Sequence, residues 1–444
     1  MTTRTPIRAA FVLLALTFTI LPPSLDLTRA IPYVALGVAA HADDGGDGDG
    51  GDGGGSDGSG GASGDGGAEP GITPFSGGAM RTEIVAAQVT PAQLAALTER
   101  GYTVLERRTS GLLASPTVRL KVPLRRTLDQ AIAEVEALNP RSIADRNHFY
   151  RHSAAPCDGP QCDATALIGW PQQQASCAQR ARVTIGLIDT AVQRDHPALA
   201  GRPIEVLTLR AADRKPSDPA HGTAVASLLV GAPNGPTPGL LRDARVIAVD
   251  AFHRGALFDE RMDAFDLVAA IDELVRRNVR VINLSFAGPA NKLLERSVQA
   301  ASRRGVLLVA AVGNDGAHAE PRFPAAYPSV IAVTAVRPDA QVYRRAVQGP
   351  HVDMAAPGVD VWVAQAGKPG GRKQTGTSFA APFITAAAAV IIARSPGLSA
   401  DAVRAELQRQ SRDLGAPGAD PVYGHGLLRA GGLCGPAPRA ARAS

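Results

Sequence analysis

Residues 379–394 read FAAPFITAAAAVIIAR and are apolar almost without interruption. A helix that is apolar on every side belongs in the core of a domain or in a membrane. The segment therefore asks for a domain large enough to surround it, and 444 residues are enough. Gly376, Thr377 and Ser378 come just before it. Gly376 and Thr377 make the turn into the helix, and Pro382 stands early enough for its missing N–H to cost little. A serine there lies among unpaired backbone N–H groups at the positive end of the helix dipole, a setting that stabilises an oxyanion. Alone, such a serine reads as an N-cap. To act as a nucleophile it needs a histidine base, and the base needs a carboxylate to orient it.

Both have candidates upstream. Residues 183–188 (VTIGLI) form a short β-branched run, read as a buried parallel strand. Asp189 follows at its C-terminal end, the edge where open α/β sheets gather functional groups. His221 opens the run HGTAVAS, at the start of a predicted helix. Residues 306–311 (VLLVAA) are another buried strand, running into Val312-Gly313-Asn314-Asp315-Gly316. Asn314 alone is a turn asparagine. An oxyanion formed at an activated serine calls for a two-point cradle, the Ser378 backbone N–H and one side-chain donor.

The order Asp189, His221, Ser378 and the runs around them resemble the subtilisin-like serine proteases (subtilases). The likeness rests on Asp189-Thr190 followed by His196-Pro197, on His221-Gly222-Thr223, and on Gly376-Thr377-Ser378-Phe379-Ala380-Ala381-Pro382. It extends from about residue 183 to 428. It implies an α/β fold, a mostly parallel sheet flanked by helices, over about residues 165–434. It also implies an endopeptidase with Asp189, His221 and Ser378 as catalytic residues and Asn314 in the oxyanion hole. Val281–Pro289 (VINLSFAGP) resembles the strand that pairs with substrate, which makes Ser285, Phe286, Ala287 and Gly288 candidate substrate-binding residues. Three positions depart from the usual motifs: Ala191, Ser227 and Ala287 stand where glycine is common. The methyl of Ala287 is expected to narrow the pocket for the residue before the scissile bond, favouring small or slim side chains over large aromatics. No cofactor is implied for the chemistry, and the structural calcium common in relatives has no evident ligand set here. An inactive or peptide-ligating relative is the alternative reading.

Upstream the composition changes three times. Arg4 and Arg8 precede an apolar run ended by Pro22-Pro23, and Ala40-His41-Ala42 offers a small-x-small cut site; residues 1–42 thus read as a signal peptide. Left uncut, it would anchor the chain in a membrane. Residues 43–79 are dominated by Gly, Asp, Ser and Ala and predict a disordered acidic linker. Residues 80–150 predict strand–helix–strand twice over, a ferredoxin-like α+β unit. By position it resembles subtilase propeptides, which act as folding chaperone and intramolecular inhibitor, and autocleavage is expected between about residues 149 and 162. The expected location is secreted or periplasmic, and the expected partners are protein or peptide substrates and the chain's own pro-domain.

The formal charge of +5 is spread without a basic stripe, and aromatics are 4% of the chain, so nucleic acid is not expected as a partner. Cys157, Cys162, Cys177 and Cys434 are an even set, and with an export signal they suggest disulfides. Four cysteines allow three pairings; in one, Cys157–Cys162 closes a small loop while Cys177 and Cys434 tie together the ends of the larger domain.

Overall fold

The computed structural model describes residues 79–435, apart from 114, 153–154, 157–163, 172–176, 179, 212 and 256–258. The expected signal peptide, all but the last residue of the expected linker, Cys157 and Cys162 lie outside the described residues.

The first unit contains β1 (Ala79–Ala87), α1 (Pro91–Glu99), β2 (Thr103–Ser110), β3 (Ser115–Lys121), α2 (Leu128–Leu138) and β4 (Ile143–His152). Its antiparallel strands lie in the order β2-β3-β1-β4, the split βαβ arrangement. Each helix opens on a capping box, Thr90 with Gln93 and Thr127 with Gln130. Leu94, Leu97, Ala131 and Val135 turn inward onto Ile84, Val118 and Leu120 and give the unit a small core of its own.

The larger unit follows: β5 (Ala155–Pro156), α3 (Ala164–Leu167), β6 (Thr184–Asp189), β7 (Ile204–Thr208), β8 (Lys215–Pro216), α4 (Ala220–Val230), β9 (Arg245–Asp250), β10 (His253–Arg254), β11 (Glu260–Asp263), α5 (Ala264–Arg276), β12 (Val281–Leu284), β13 (Phe286–Ala287), α6 (Lys292–Arg303) and β14 (Leu307–Ala311). Then come β15 (Val330–Val336), β16 (Met354–Pro357), β17 (Val361–Ala364), β18 (Gly371–Thr375), α7 (Thr377–Arg394), α8 (Ala400–Arg409), β19 (Ser411–Arg412) and β20 (Leu427–Leu428). Nine strands form the central sheet in the order β19-β20-β16-β15-β14-β12-β6-β9-β7. Every pairing in it is parallel except β19 with β20. Parallel strands covered by helices are buried on both faces, which explains why β14 and β15 read as unbroken apolar runs. Helix α7 crosses β12, β14, β15 and β16 and is buried from Thr377 to Ile392. Among the described residues it alone is long and apolar enough to cross a membrane, and here it sits in the core.

The two units share strands. β4 runs on antiparallel to β11, with Phe149 opposite Asp263 and Tyr150 opposite Met262, and to β13, with Arg151 opposite Ala287 and His152 opposite Phe286. Two residues later β5 pairs with β18, Ala155 opposite Thr375 and Pro156 opposite Gln374. Val85 and Ala87 pack on Phe265, Val268 and Leu293. Around this apolar patch the contacts are polar. Asp272 accepts from the Gly111 and Leu112 N–H groups (3.1 and 2.8 Å), and Asp145 accepts from Lys292 N (2.8 Å) at the start of α6, where a carboxylate complements the helix dipole. Arg108 reaches Asp266 at 2.8 Å and lies over the Phe265 ring. Arg214 stands between Glu83 and Asp263 at 3.8 and 3.9 Å. His253 is buried edge-on to Phe149, its ring nitrogens without a hydrogen-bond partner among the described residues, and burial pushes its pKa down to about 4. Cys177 and Cys434 form a disulfide across 257 positions.

Candidate active site

Three neighbouring strands end at one edge of the sheet, and each delivers a candidate group there. β6 ends in Asp189, β12 leads into Ser285–Gly288, and β14 leads into Asn314. Two helix starts face the same edge: His221 is the second residue of α4 and Ser378 the second of α7. Groups from five places in the chain thus share one crevice at strand C-termini, as open α/β sheets require.

Asp189 is fully buried, and its Oδ1 accepts from His221 Nδ1 at 2.8 Å and from Thr190 N at 2.7 Å. Thr190 also accepts from Gly222 N (2.8 Å), so the loop after β6 is stitched to α4 on both sides of the imidazole. A side chain at 222 would collide with the Thr190 carbonyl oxygen, which is why glycine follows the histidine. The His221 ring stacks against Phe379 with centroids 5.5 Å apart, beside Ser378. On the next strand, opposite Asp189, burial pushes the Asp250 carboxyl up from its usual range; Ser217 (2.8 Å) and Arg210 (2.9 Å) oppose the rise.

Ser378 is buried, and its Oγ donates to the Ser285 carbonyl at 2.9 Å. Gly376 is the N-cap of α7, so Ser378 is not the cap itself. Pro382 is the sixth helical residue and not part of the first turn, so its missing N–H does carry a cost: it would have bonded the Ser378 carbonyl. Ser285 takes that place, its Oγ donating to Ser378 O at 2.7 Å. Asn283 Nδ2 donates to Ser285 Oγ (2.8 Å), and Thr385 Oγ1 donates to Asn283 Oδ1 (3.0 Å). All these side chains are buried, and their chain of bonds ties α7 to the strand that leads to Ser285–Gly288. Asn283 and Thr385 escaped the sequence reading. Their signal was there: one amide inside a buried apolar strand and one hydroxyl inside an apolar helix must find partners, and they find each other.

Asn314 is 7% exposed. Its Oδ1 accepts from Thr377 N (3.1 Å) and Thr377 Oγ1 (2.9 Å), which leaves its NH₂ as the end turned elsewhere. Thr377 is thus a positioning residue that the motif contained but the sequence reading did not assign. Of the three positions where glycine is common, Ser227 has a use: its hydroxyl donates to Ala224 O (2.7 Å) and accepts from Ala364 N (2.9 Å). Ala191 N donates to Ser217 Oγ at 2.9 Å. Ala287 lies on β13 opposite Arg151. Gly288 exchanges two 2.9 Å backbone bonds with Phe323. Among the described residues no group of three or more His, Cys, Asp or Glu has the arrangement of a metal site.

Residues 180–426 match the model of the subtilase family, peptidase S8. The minor extracellular protease Epr of Bacillus subtilis is 32% identical over 217 residues, 48% of this chain and 32% of that protein. Subtilisin DY of Bacillus licheniformis is 30% identical over 268 residues, 59% of this chain and 94% of that protein. The chain thus spans about a third of the first relative and nearly all of the second. The crystal structure of fervidolysin from Fervidobacterium pennivorans, a keratinolytic enzyme related to subtilisin, superposes with a TM-score of 0.68 at 19% identity, covering 83% of this chain and 62% of that one. That likeness speaks for the fold, whereas the match over residues 180–426 speaks for descent: the chain belongs to the subtilase family of subtilisin-like serine proteases.

Proposed function

We propose that the protein is an exported serine endopeptidase that hydrolyses peptide bonds through an acyl-enzyme, with residues 80–150 as its intramolecular inhibitor. The observation that carries this reading is the path of the chain. β4 lies between two edge strands as an extended substrate would; β13 follows Ser285, whose carbonyl accepts the Ser378 hydroxyl, and β5 pairs with β18, which leads through Gly376 into the helix that carries Ser378. In the proposed reaction Ser378 Oγ turns from the Ser285 carbonyl and attacks the scissile carbon. His221 takes the hydroxyl proton and hands it to the leaving amine. Asp189 holds the ring by Nδ1, which leaves Nε2 as the base, and stabilises the imidazolium. Asn314 Nδ2 and the Ser378 N–H receive the oxyanion. Water then cleaves the ester. The reaction is proposed to need no cofactor, and no residue is assigned to a structural calcium. Export is supported by the sequence of residues 1–42 and by the Cys177–Cys434 disulfide, a bond at home in oxidising compartments.

A fluorophosphonate probe tests the reading. The expected result is covalent labelling of the wild-type protein and none of Ser378→Ala. Equal labelling of both, or of neither, overturns it.

A further inference from the structure

The first unit is tied to both ends of α6, and the seam between those ties is open. At the start of the helix Lys292 is held by the first unit, its Nζ 2.9 Å from Glu136 and its backbone N 2.8 Å from Asp145. Just past the last turn, Arg304 donates to the Gly111 carbonyl at 2.7 Å. At about 1.5 Å per residue the two ties stand about 18 Å apart.

Between them lies a cleft of about 820 Å³ with charged walls. Lys292, Arg296 and Arg303 line it from α6, at positions i, i+4 and i+11, opposite the helix face that buries Leu294, Val298 and Ala301. Arg141 lines it from the first unit, just before β4. Two carboxylates share the lining and both are engaged. Glu136 holds Lys292, and Glu295 accepts from Gln299 at 3.1 Å. Arg141, Arg296 and Arg303 are exposed and have no ion-pair partner among the described residues. The fold thus gathers like charges that repel one another, and it leaves room between them.

The planar fork of arginine matches the oxygens of a phosphate group. Such a group carries about −1.5 to −2 charges near pH 7, on three acceptor oxygens. Two of them neutralise three guanidinium groups, where carboxylates would have to crowd three into the same space. We propose that this cleft binds a compact anion bearing two or more phosphate groups. The anion joins the first unit to the larger one, through Arg141 on one side and Arg296 and Arg303 on the other. No residue of the Ser378 crevice lines the cleft, so the site stands apart from the catalytic reading.

Titration calorimetry of full-length Ser378→Ala with inorganic tripolyphosphate, in about 0.15 M salt to screen loose surface attraction, tests the site. One anion per chain is expected, with a dissociation constant below about 100 µM. Arg141→Gln and Arg296→Gln should each weaken binding at least about tenfold. Arg125→Gln, exposed and outside the cleft, should not. Circular dichroism checks that the variants fold, and Arg303→Gln replaces either one that does not. Absent binding, equal weakening by Arg125→Gln, or binding untouched by the cleft variants overturns the site. Tighter binding of a poly-aspartate peptide overturns the phosphate assignment.

Hydrogen exchange reads the bridge. The Gly111, Leu112 and Lys292 amides donate across the seam, to Asp272 and Asp145. Saturating tripolyphosphate should slow their exchange at least about threefold in Ser378→Ala, and should not once Arg141→Gln is added. Unchanged exchange with the anion bound overturns its joining of the two units.

Discussion

Around Ser378 the buried polar groups satisfy one another: Thr385 bonds Asn283, Asn283 bonds Ser285, Ser285 bonds Ser378, and Thr377 bonds Asn314. The seam between the first unit and the rest is different. It carries Arg108, Arg119, Arg214, Asp263 and His253, each with at least one buried atom that lacks a hydrogen-bond partner among the described residues. Neutral, completed networks hold a site in one geometry. Buried charges with incomplete bonding give back in desolvation much of what their attraction supplies. The lesson is that the two regions suit different lifetimes. One is built to stay, while the other closes over a strand and a few hydrogen bonds and gains little from its charges.

Four experiments would break or sharpen this contrast. The largest effect belongs to Ser378→Ala, expected to lower peptide hydrolysis by about 10⁴-fold or more; an assay on a synthetic peptide checks it. Next is Asp272→Ala, which removes the acceptor of two N–H bonds from the first unit. Once the chain between them is cut, affinity between the first unit and the remainder should drop roughly 30- to 100-fold, read from their dissociation constant, with kcat on small peptides unchanged. Third is Thr377→Val, which keeps the backbone bond to Asn314 and loses both hydroxyl bonds, the one given to Asn314 Oδ1 and the one accepted from Gly313 N. A fall of about tenfold in kcat with an unchanged KM is expected, since a loosened oxyanion donor is felt in the transition state.

The smallest effect is one of pH. His253 has its pKa depressed to about 4 by burial; Asp263 and Asp259 oppose the shift, while Arg214 and Arg261 add to it. If separation of the units exposes the ring, its pKa returns toward the usual value near 6.5. Between those values the separated state takes up a proton that the assembled state refuses, so assembly weakens as pH falls from 6.5 toward 4. The loss should be a few-fold between pH 6.5 and 5.5, and no more than about tenfold per unit. Gel filtration of the cleaved complex across that range measures it, and His253→Leu should flatten the curve.

Much of the site could be read from the chain because its parts are local. Asp189 ends an apolar strand, His221 and Ser378 open apolar helices, and each brings its own motif. The alternation in residues 80–150 showed a two-layer α+β unit for the same reason. What escaped depends on segments far apart in sequence. Arg322 and Ala287 both come up to Gly313 only because β13, β14 and the Phe323 segment converge. The consequence of Pro382 depends on Ser285, 97 positions earlier. The partners of β4 and β5 are a matter of register across strands distant in sequence, which no single segment reveals.

The bond between Cys177 and Cys434 has a further consequence for the larger unit. A single nick anywhere inside that span opens the loop but leaves both pieces joined through the sulfur–sulfur bond, so fragments cannot drift apart before the fold closes again. Damage of this kind would stay silent on a gel run without reductant and appear only once thiol is added.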